Sequence, residues 1–234
     1  MTTDKLVQMV MRDMLFITWT VEPERLRKLV NARLELDTRT DSTGRVVAFV
    51  SAVCFRVTEM RSSTLPLPDL SFEQVNYRAY VRSGETPASS FLDMKVNSRT
   101  ITALTSFLNI PVHYEDIDIA TRSDGAGLLH YSFRSAGLKA EAVIGEQSRN
   151  ERANGEVEPD FLTRRFVGYA GLGESLFKLV VDQPGLDTRP ARIERVEAPR
   201  LVELGVLGPD QSEHPAALYV RDALFGTNAP IREK

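Results

Sequence analysis

Polar side chains occupy every second position of the segment 74–81, which reads Gln-Val-Asn-Tyr-Arg-Ala-Tyr-Val. If this segment is a β-strand, Gln74, Asn76, Arg78 and Tyr80 share one face, because successive strand residues point to opposite faces. Such a row of hydrogen-bonding groups is poorly suited to a core and well suited to the wall of a pocket. A guanidinium such as that of Arg78 can bind a carboxylate through two parallel hydrogen bonds. The row therefore predicts a site for a small organic acid, and a solvent-facing sheet surface is the open alternative.

Other kinds of reactive site find little support. His113, His130 and His214 are scattered, and no HxxxH or CxxC spacing occurs, so we predict no metal site. Cys54 is the only cysteine and lies in an apolar run, which favours a buried, inert thiol over a nucleophile. The chain has no GxSxG serine motif and no complete glycine-rich phosphate loop, and we expect no cofactor.

Length and composition indicate an ordinary globular protein. The 234 residues are 42% hydrophobic and 26% charged, and we expect a single domain over residues 1–234. The net charge of −3 lacks the basic excess that nucleic acid binding requires. No apolar run reaches the ~18 residues that span a bilayer, and residues 1–13 lack an apolar signal core. We therefore predict a cytoplasmic protein with no membrane partner; a homo-oligomer is compatible with the sequence but is not specified by it.

The elements that must position the polar row are mostly strands. The strongest β pattern runs over residues 45–60, where both alternating faces are apolar, so this strand should be central and covered on both sides. Further strands are expected at 14–21, 34–37, 74–81, 90–97, 113–119, 128–134, 138–144, 165–170, 176–182, 192–196 and 218–223. Helices are expected at 4–11, after Pro23, and from a cap at Ser98 to about residue 109. Residues 63–71 and 146–160 are expected to be loops. Many strands with few helices predict an α+β, mainly β protein built on a large antiparallel sheet or barrel.

Four stretches, in this order, resemble the YqjF-like family, an uncharacterised bacterial family related to acetoacetate decarboxylase. They are WTVEPERL at 19–26 with LELD at 34–37, LPLP at 65–68 with QVNYRAYV at 74–81, NSR at 97–99 through LNIP at 108–111, and FLTRRF at 161–166. The resemblance covers most of the chain. It implies the acetoacetate decarboxylase-like fold, a large antiparallel β-barrel or cone with flanking short helices and a ligand cavity inside. The implied ligand-binding residues are Gln74, Asn76, Arg78, Tyr80, Trp19 and Arg165.

The chain departs from the pattern of these relatives at positions that carry chemistry. In the decarboxylases a lysine follows the G-x-P turn and forms a Schiff base with the substrate ketone, which requires an amine of lowered pKa. Here Pro111 is followed by Val112, and the strand glutamate of the family corresponds to Gln74. The glutamate of the family's FLTERY stretch corresponds to Arg164. Lys95 is the one nearby lysine that could take the amine's place.

Three functions stay open at this point. The first is a small-molecule binder whose Arg78 engages the anionic group of an organic acid. The second is an enzyme acting on a keto or enol acid, with Lys95 as an amine or with Arg78 and Tyr80 as electrostatic and proton-relay groups. The third is a structural or interaction protein, for which the polar row would face solvent. Of these three we favour the binder, because Val112 cannot form a Schiff base.

Overall fold

A computed structural model describes residues 7–62, 70–107, 110–125, 127–145, 157–171, 176–208 and 215–233. Its strands are β1 Val7–Val21, β2 Glu35–Leu36, β3 Arg39–Thr40, β4 Val46–Ser62, β5 Leu70–Ser83, β6 Thr86–Val96, β7 Val112–Tyr114, β8 Asp118–Ser123, β9 Leu129–Arg134, β10 Lys139–Ile144, β11 Val167–Ala170, β12 Leu176–Asp182, β13 Thr188–Glu197, β14 Ala216–Thr227 and β15 Ile231–Glu233. Its helices are α1 Pro23–Arg27, α2 Arg99–Phe107, α3 Pro159–Thr163 and α4 Pro199–Glu203. The predicted α+β, mainly β class is confirmed.

Seven strands form a closed ring of hydrogen-bonded neighbours, in the order β12, β11, β6, β5, β4, β1 and β14. The ring closes where β14 returns to β12, through the pairs Val181 with Thr227 and Asp182 with Gly226. Pairing is antiparallel throughout, except that β11 runs parallel to β6. We call this set the strand ring. It surrounds one of the two hydrophobic cores.

The second core lies on the outer face of the strand ring. Strands β13, β10, β9 and β8 continue the sheet from β14, and their side chains pack on that face. Alternate residues of β4 show how the two cores are divided. Val53 and Phe55 join the inner core, whereas the smaller Ala52 and Cys54 join the outer one. The prediction of a central strand with two apolar, covered faces is confirmed.

The turn between β5 and β6 lets these two strands pair as a hairpin. Gly84 has φ +59°, a left-handed conformation that glycine adopts without a Cβ clash. The hairpin then runs in antiparallel register, with Arg78 opposite Phe91 and Asn76 opposite Met94. A bulge between these two pairs places Leu92 against the outer core, instead of on the face of Met94 as simple alternation predicts.

Three sequence-based predictions are wrong. The helix expected at 4–11 is strand from Val7 onward, because this segment pairs with β4 on one side and β14 on the other; residues 4–6 lie outside the described part. The strand expected at 113–119 is two short strands, β7 and β8, with separate partners. The loop expected up to residue 160 ends earlier, since α3 begins at Pro159; residues 146–156 of that loop are not described. None of the described helices is long and apolar enough to cross a membrane.

Candidate functional site

A cavity of about 290 Å³ lies inside the strand ring. All seven ring strands and α2 contribute to its described walls, which are mostly apolar. The polar lining residues are Ser62, Gln74, Asn76, Arg78, Ser89, Thr105, Thr163, Arg165, Gln183, Thr227 and Asn228. Among the described lining residues only Arg78 and Arg165 carry a charge, and none is acidic.

The polar row of β5 faces this cavity. Gln74, Asn76 and Arg78 all line it, because they alternate along one face of the strand. Gln74 Nε2 donates a hydrogen bond of 2.6 Å to Asn76 Oδ1. Three of the four side chains predicted to share this face thus line a cavity inside the strand ring instead of an open sheet surface.

Arg78 is the one cation of the described wall without a charged partner. Its Nη2 donates to the carbonyl oxygen of Leu162 at 2.7 Å and, more weakly, to the hydroxyl of Tyr80 at 3.4 Å. Its buried Nε donates to no described group. The guanidinium carbon lies 5.2 Å from the ring centroid of Phe16 and 5.3 Å from that of Tyr80, so aromatic faces supply part of its environment. Across the described residues no carboxylate comes within ion-pairing distance of it.

Tyr80 stands behind Arg78 and does not line the cavity. Its side chain is fully buried, and its hydroxyl lies 2.7 Å from Ser51 Oγ, which lies 2.7 Å from Thr18 Oγ1. Three hydroxyl groups on β1, β4 and β5 thus form a buried chain that ends at the Arg78 guanidinium. A buried, fully hydrogen-bonded network of this kind fixes side-chain positions strongly.

Arg165 also lines the cavity, but its charge is already balanced. Its Nη1 lies 2.7 Å from Asp37 Oδ2, and both side chains are nearly inaccessible, at 2% and 11% exposure. Burial has the largest effect and lowers the pKa of the Arg165 guanidinium. Asp37 opposes this effect, while the nearby positive charge of Arg78 lowers the pKa further. Because Asp37 already neutralises its charge, Arg165 is poorly suited to bind a second anion.

Lys95 on β6 and Val112 on β7 lie on opposite sides of the strand ring. Val112 lines the cavity and pairs with Met94 in the register of β7 with β6. Lys95 is opposite Val75, an outer-core residue, and its Nζ lies 3.3 Å from Asp93 Oδ2. It is not among the residues that line the cavity. The structure thus does not bring Lys95 to the polar row.

The acidic partner of Lys95 belongs to a separate ion cluster on the outer side of the strand ring. Asp93 accepts a hydrogen bond from Arg200 Nε at 2.7 Å, and His113 Nδ1 lies 3.3 Å away. Burial raises the pKa of Asp93, but the charges of Lys95 and Arg200 outweigh this effect and leave the pKa lowered. Nothing in this cluster reaches the cavity.

Trp19 also lies outside the cavity, which corrects the expectation that it lines the site. Thr18 contacts Ser51 on one face of β1. Trp19, the next residue, points to the opposite face and packs in the outer core, where it is 3% exposed. The sequence resemblance placed Trp19 at the end of a strand correctly, but it did not specify which face the side chain occupies.

Sequence reasoning missed three features of the site. Ser89 lines the cavity and its buried Oγ has no described partner, yet its position in a run of small residues gives no signal. Asp37 is the counter-ion of Arg165, 128 positions away, which no local pattern reveals. Met9 and Met11 line the cavity as well, but they lie in the segment 4–11 for which a helix was predicted.

Metal chemistry finds no support in this part of the molecule. Within the described ranges, no group of three or more His, Cys, Asp and Glu side chains is placed to hold a metal ion. Cys54 is buried in the outer core, as predicted, and burial raises the pKa of its thiol. A thiol in that position cannot act on a ligand in the cavity.

Comparison with known proteins places the chain in a family. Residues 8–223 match the DUF2071 family model, whose description is "Uncharacterized conserved protein", and the chain belongs to this family. No curated protein sequence matches the chain. The prediction that the chain belongs to an uncharacterised family is confirmed.

Solved structures show the same fold at low sequence identity. An acetoacetate decarboxylase-like enzyme from Sphingomonas wittichii is 14% identical, with a TM-score of 0.60 over 99% of this chain and 95% of that one. The acetoacetate decarboxylase of Legionella pneumophila is 12% identical, with a TM-score of 0.61 over 97% and 87%. The enduracididine biosynthesis enzyme MppR is 11% identical, with a TM-score of 0.66 over 98% and 90%. At these identities the likeness establishes the fold alone.

Proposed function

We propose that this DUF2071 protein binds a small organic acid in the cavity of the strand ring, with Arg78 holding the carboxylate, and that it does so without a Schiff base. One observation carries the proposal. Arg78 is a cation in an apolar cavity, it has no charged partner among the described residues, and its Nε donates no hydrogen bond there. A buried charge is costly unless it is paired, so a bound carboxylate would relieve that cost.

The geometry of the polar row supports the same ligand. Gln74 and Asn76 lie on the same face as Arg78 and are already hydrogen-bonded to each other. They can therefore orient a ligand through their remaining amide groups without leaving an amide unpaired when the cavity is empty. Few, well-placed polar groups in an otherwise apolar cavity are typical of small-molecule sites.

Relatives of the same fold support a carboxylate-bearing ligand. MppR is known complexed with pyruvate, and also with the condensation product of pyruvate and imidazole 4-carboxaldehyde. Pyruvate carries a carboxylate and a ketone. The carboxylate is the part of such a ligand that Arg78 suits, because a guanidinium fork matches its two oxygens.

The absence of a suitable amine argues against covalent chemistry with the ketone. Val112 occupies the wall position where the resemblance implies the Schiff-base lysine, and no described lining residue is a lysine. Lys95, the candidate substitute, is paired with Asp93 on the other face. We therefore assign the site to reversible binding.

A thermal-shift screen with small carboxylates tests the proposal. A ligand at about a hundred times its Kd should stabilise the protein by about 2.7 kcal/mol, or roughly 5–10 °C in Tm for a chain of this size. Arg78→Met should abolish the shift, whereas Arg82→Met should keep it. Arg82 lies on the same strand, but it caps the β5–β6 turn by donating to the Glu85 carbonyl oxygen. No shift with any acid, or an equal shift in both variants, would refute the proposal.

A second experiment separates reversible from covalent binding. The wild-type protein is incubated with acetoacetate and reduced with borohydride, and its intact mass is then measured by mass spectrometry. We expect no adduct, because the described wall offers no amine. A stoichiometric adduct mapped to Lys95 would overturn the reversible assignment.

One observation favours a second candidate, an enzyme acting on a keto or enol acid. Arg78 could stabilise negative charge that develops on a bound keto acid, while the buried hydroxyls of Tyr80, Ser51 and Thr18 hold its guanidinium in place. Turnover of a bound keto acid, followed by NMR, would support this candidate if Tyr80→Phe lowered turnover more than it lowered ligand affinity. Unchanged substrate over many hours would leave the binder as the function.

A further inference from the structure

We propose that the cavity selects an amphiphilic monocarboxylate, with one carboxylate on an apolar tail and about ten non-hydrogen atoms in all, over a small polar keto acid. This inference rests on the proposed function and specifies its ligand class. Three features of the cavity support it: the residues of the wall, the apolar lining next to the polar row, and the charge and volume of the cavity.

Most of the methionines of the chain lie in the apolar wall. The chain has six methionines, and five of them line this cavity. They are Met9, Met11, Met14, Met60 and Met94. Methionine side chains are unbranched and polarizable, so they adapt to apolar ligands of varied shape. A wall of this kind suits an alkyl or aromatic tail.

The lining next to the polar row is apolar along the strands. Ser51 lies opposite Arg78 on β4, and Ser89 lies opposite Tyr80 on β6. Two residues back along β5, Met94 lies opposite Asn76, and four residues back Phe55 lies opposite Gln74. At ~3.4 Å per residue, these partners begin about 7 Å and about 14 Å from Arg78. A carboxylate at Arg78 would therefore point its tail toward methionine and phenylalanine side chains.

Phenylalanines complete the apolar part of the wall. Their rings come from six ring strands, at Phe16, Phe55, Phe72, Phe91, Phe177 and Phe225. Pyruvate or acetate would leave this surface in contact with water. Because burying apolar surface is favourable in proportion to its area, a ligand that covers the surface should bind more tightly than one that does not.

Charge and volume limit the ligand further. Arg165 is paired with Asp37, so the described wall has one free positive charge and matches one negative charge. A second carboxylate at the tail end would lie among apolar side chains, where an unpaired charge is costly. At ~30 Å³ per non-hydrogen atom, the share of a water molecule in the liquid, the 290 Å³ cavity holds about ten. Octanoate has this size and charge.

Calorimetric titration with four matched probes tests the inference. Octanoate has head and tail, acetate has the head alone, 1-octanol has the tail alone, and octanedioate carries a second carboxylate. Octanoate should bind most tightly. From butanoate to octanoate each added methylene should strengthen binding about fourfold, which corresponds to ~0.8 kcal/mol per buried methylene.

Variants at the head and at the tail of the bound ligand provide independent readouts. Arg78→Met should weaken octanoate at least roughly tenfold, as expected for a charged hydrogen bond, and leave 1-octanol unchanged. Met94→Gln should weaken octanoate roughly fivefold or more, at the low end of the cost of burying an amide, and leave acetate unchanged. Arg82→Met is the matched control for both. Circular dichroism spectra confirm that each variant is folded, and Arg78→Lys replaces Arg78→Met if the latter is not.

The outcomes distinguish this inference from the proposed function. If acetate or pyruvate binds as tightly as octanoate and depends on Arg78, the proposed function stands and the amphiphilic ligand class is refuted. If 1-octanol binds as tightly as octanoate and Arg78→Met changes neither, the cavity is a non-selective apolar site and both are refuted. If octanedioate binds as tightly as octanoate, the restriction to monoanions is refuted.

Discussion

Replacing Asp37 by Asn should destabilise the protein strongly, because it leaves the buried Arg165 without its counter-ion. The two charged atoms are 2.7 Å apart. At an effective dielectric constant of about 20, their attraction is roughly 6 kcal/mol before solvation is considered. The asparagine oxygen can still accept the Arg165 hydrogen bond, and the carbonyl oxygen of Phe161 already accepts one at 2.8 Å. We therefore expect a loss of about 3 kcal/mol, the lower end of the range for breaking a buried pair.

The assay is urea denaturation followed by circular dichroism, which gives the free energy of unfolding of each variant. Asp160→Asn is the matched control, since Asp160 forms an ion pair of 3.0 Å with the adjacent Arg164. Those side chains are 66% and 64% exposed, so the control should lose less than about 1 kcal/mol. The two substitutions make the same chemical change and differ chiefly in the burial of the arginine left behind.

A double variant identifies the cause of the loss. If the uncompensated charge of Arg165 destabilises Asp37→Asn, adding Arg165→Met should recover much of the lost stability, because no buried charge remains. A double variant that is no more stable than Asp37→Asn would refute the reasoning. So would equal losses in Asp37→Asn and Asp160→Asn.

Three further substitutions or treatments have defined outcomes. A Cβ on Gly168 would lie 2.6 Å from Phe91 Cε2, so Gly168→Ala should cost about 1–3 kcal/mol of unfolding free energy, whereas Gly185→Ala, with open space around it, should change it by less than about 0.5. The lowered pKa of Asp93 means that its ionised form contributes stability that is present above the unfolded pKa of ~3.9 and is lost as the pH falls through the folded pKa. The stability gap between wild type and Asp93→Asn should therefore narrow below about pH 4, and a constant gap would contradict this. Burial raises the pKa of the Cys54 thiol, so iodoacetamide should add no mass to the native protein and one label after unfolding; native labelling would contradict the assigned burial.

The positions of strands, and the faces on which their side chains lie, were largely predictable where the local residue pattern indicates them. The alternation of Gln74, Asn76 and Arg78 placed all three on one face, and they do line one cavity. The doubly apolar pattern of residues 45–60 predicted a central strand, and β4 pairs with neighbours on both sides. Ser98 was also correctly predicted as a helix cap, since its Oγ accepts a hydrogen bond from the Ile101 amide at the start of α2.

Features that depend on distant segments were not predictable. Met9 and Val10 match a helical spacing, but strands from the middle and the end of the chain pair with this segment and hold it extended. Local periodicity does not contain that information, so tertiary pairing overrides it. The ion pair of Arg165 with Asp37 likewise joins segments 128 residues apart. Trp19 was expected to line the ligand cavity but packs in the outer core. A resemblance identifies a position in a strand but not the face on which its side chain lies.

The charges of the described cavity wall favour binding of a carboxylate over Schiff-base chemistry. A lysine that attacks a keto acid must be neutral, and a nearby cation or apolar surroundings lower its pKa enough to make it so. The described wall contains the cation, Arg78, and the apolar surroundings, but the position after Pro111 is Val112. The positive charge that would activate an amine is therefore left to attract a carboxylate. Because Asp37 already neutralises Arg165, a single carboxylate would complete the charge balance of the described wall, which is the physical reason to expect a bound monoanion and not a covalent intermediate.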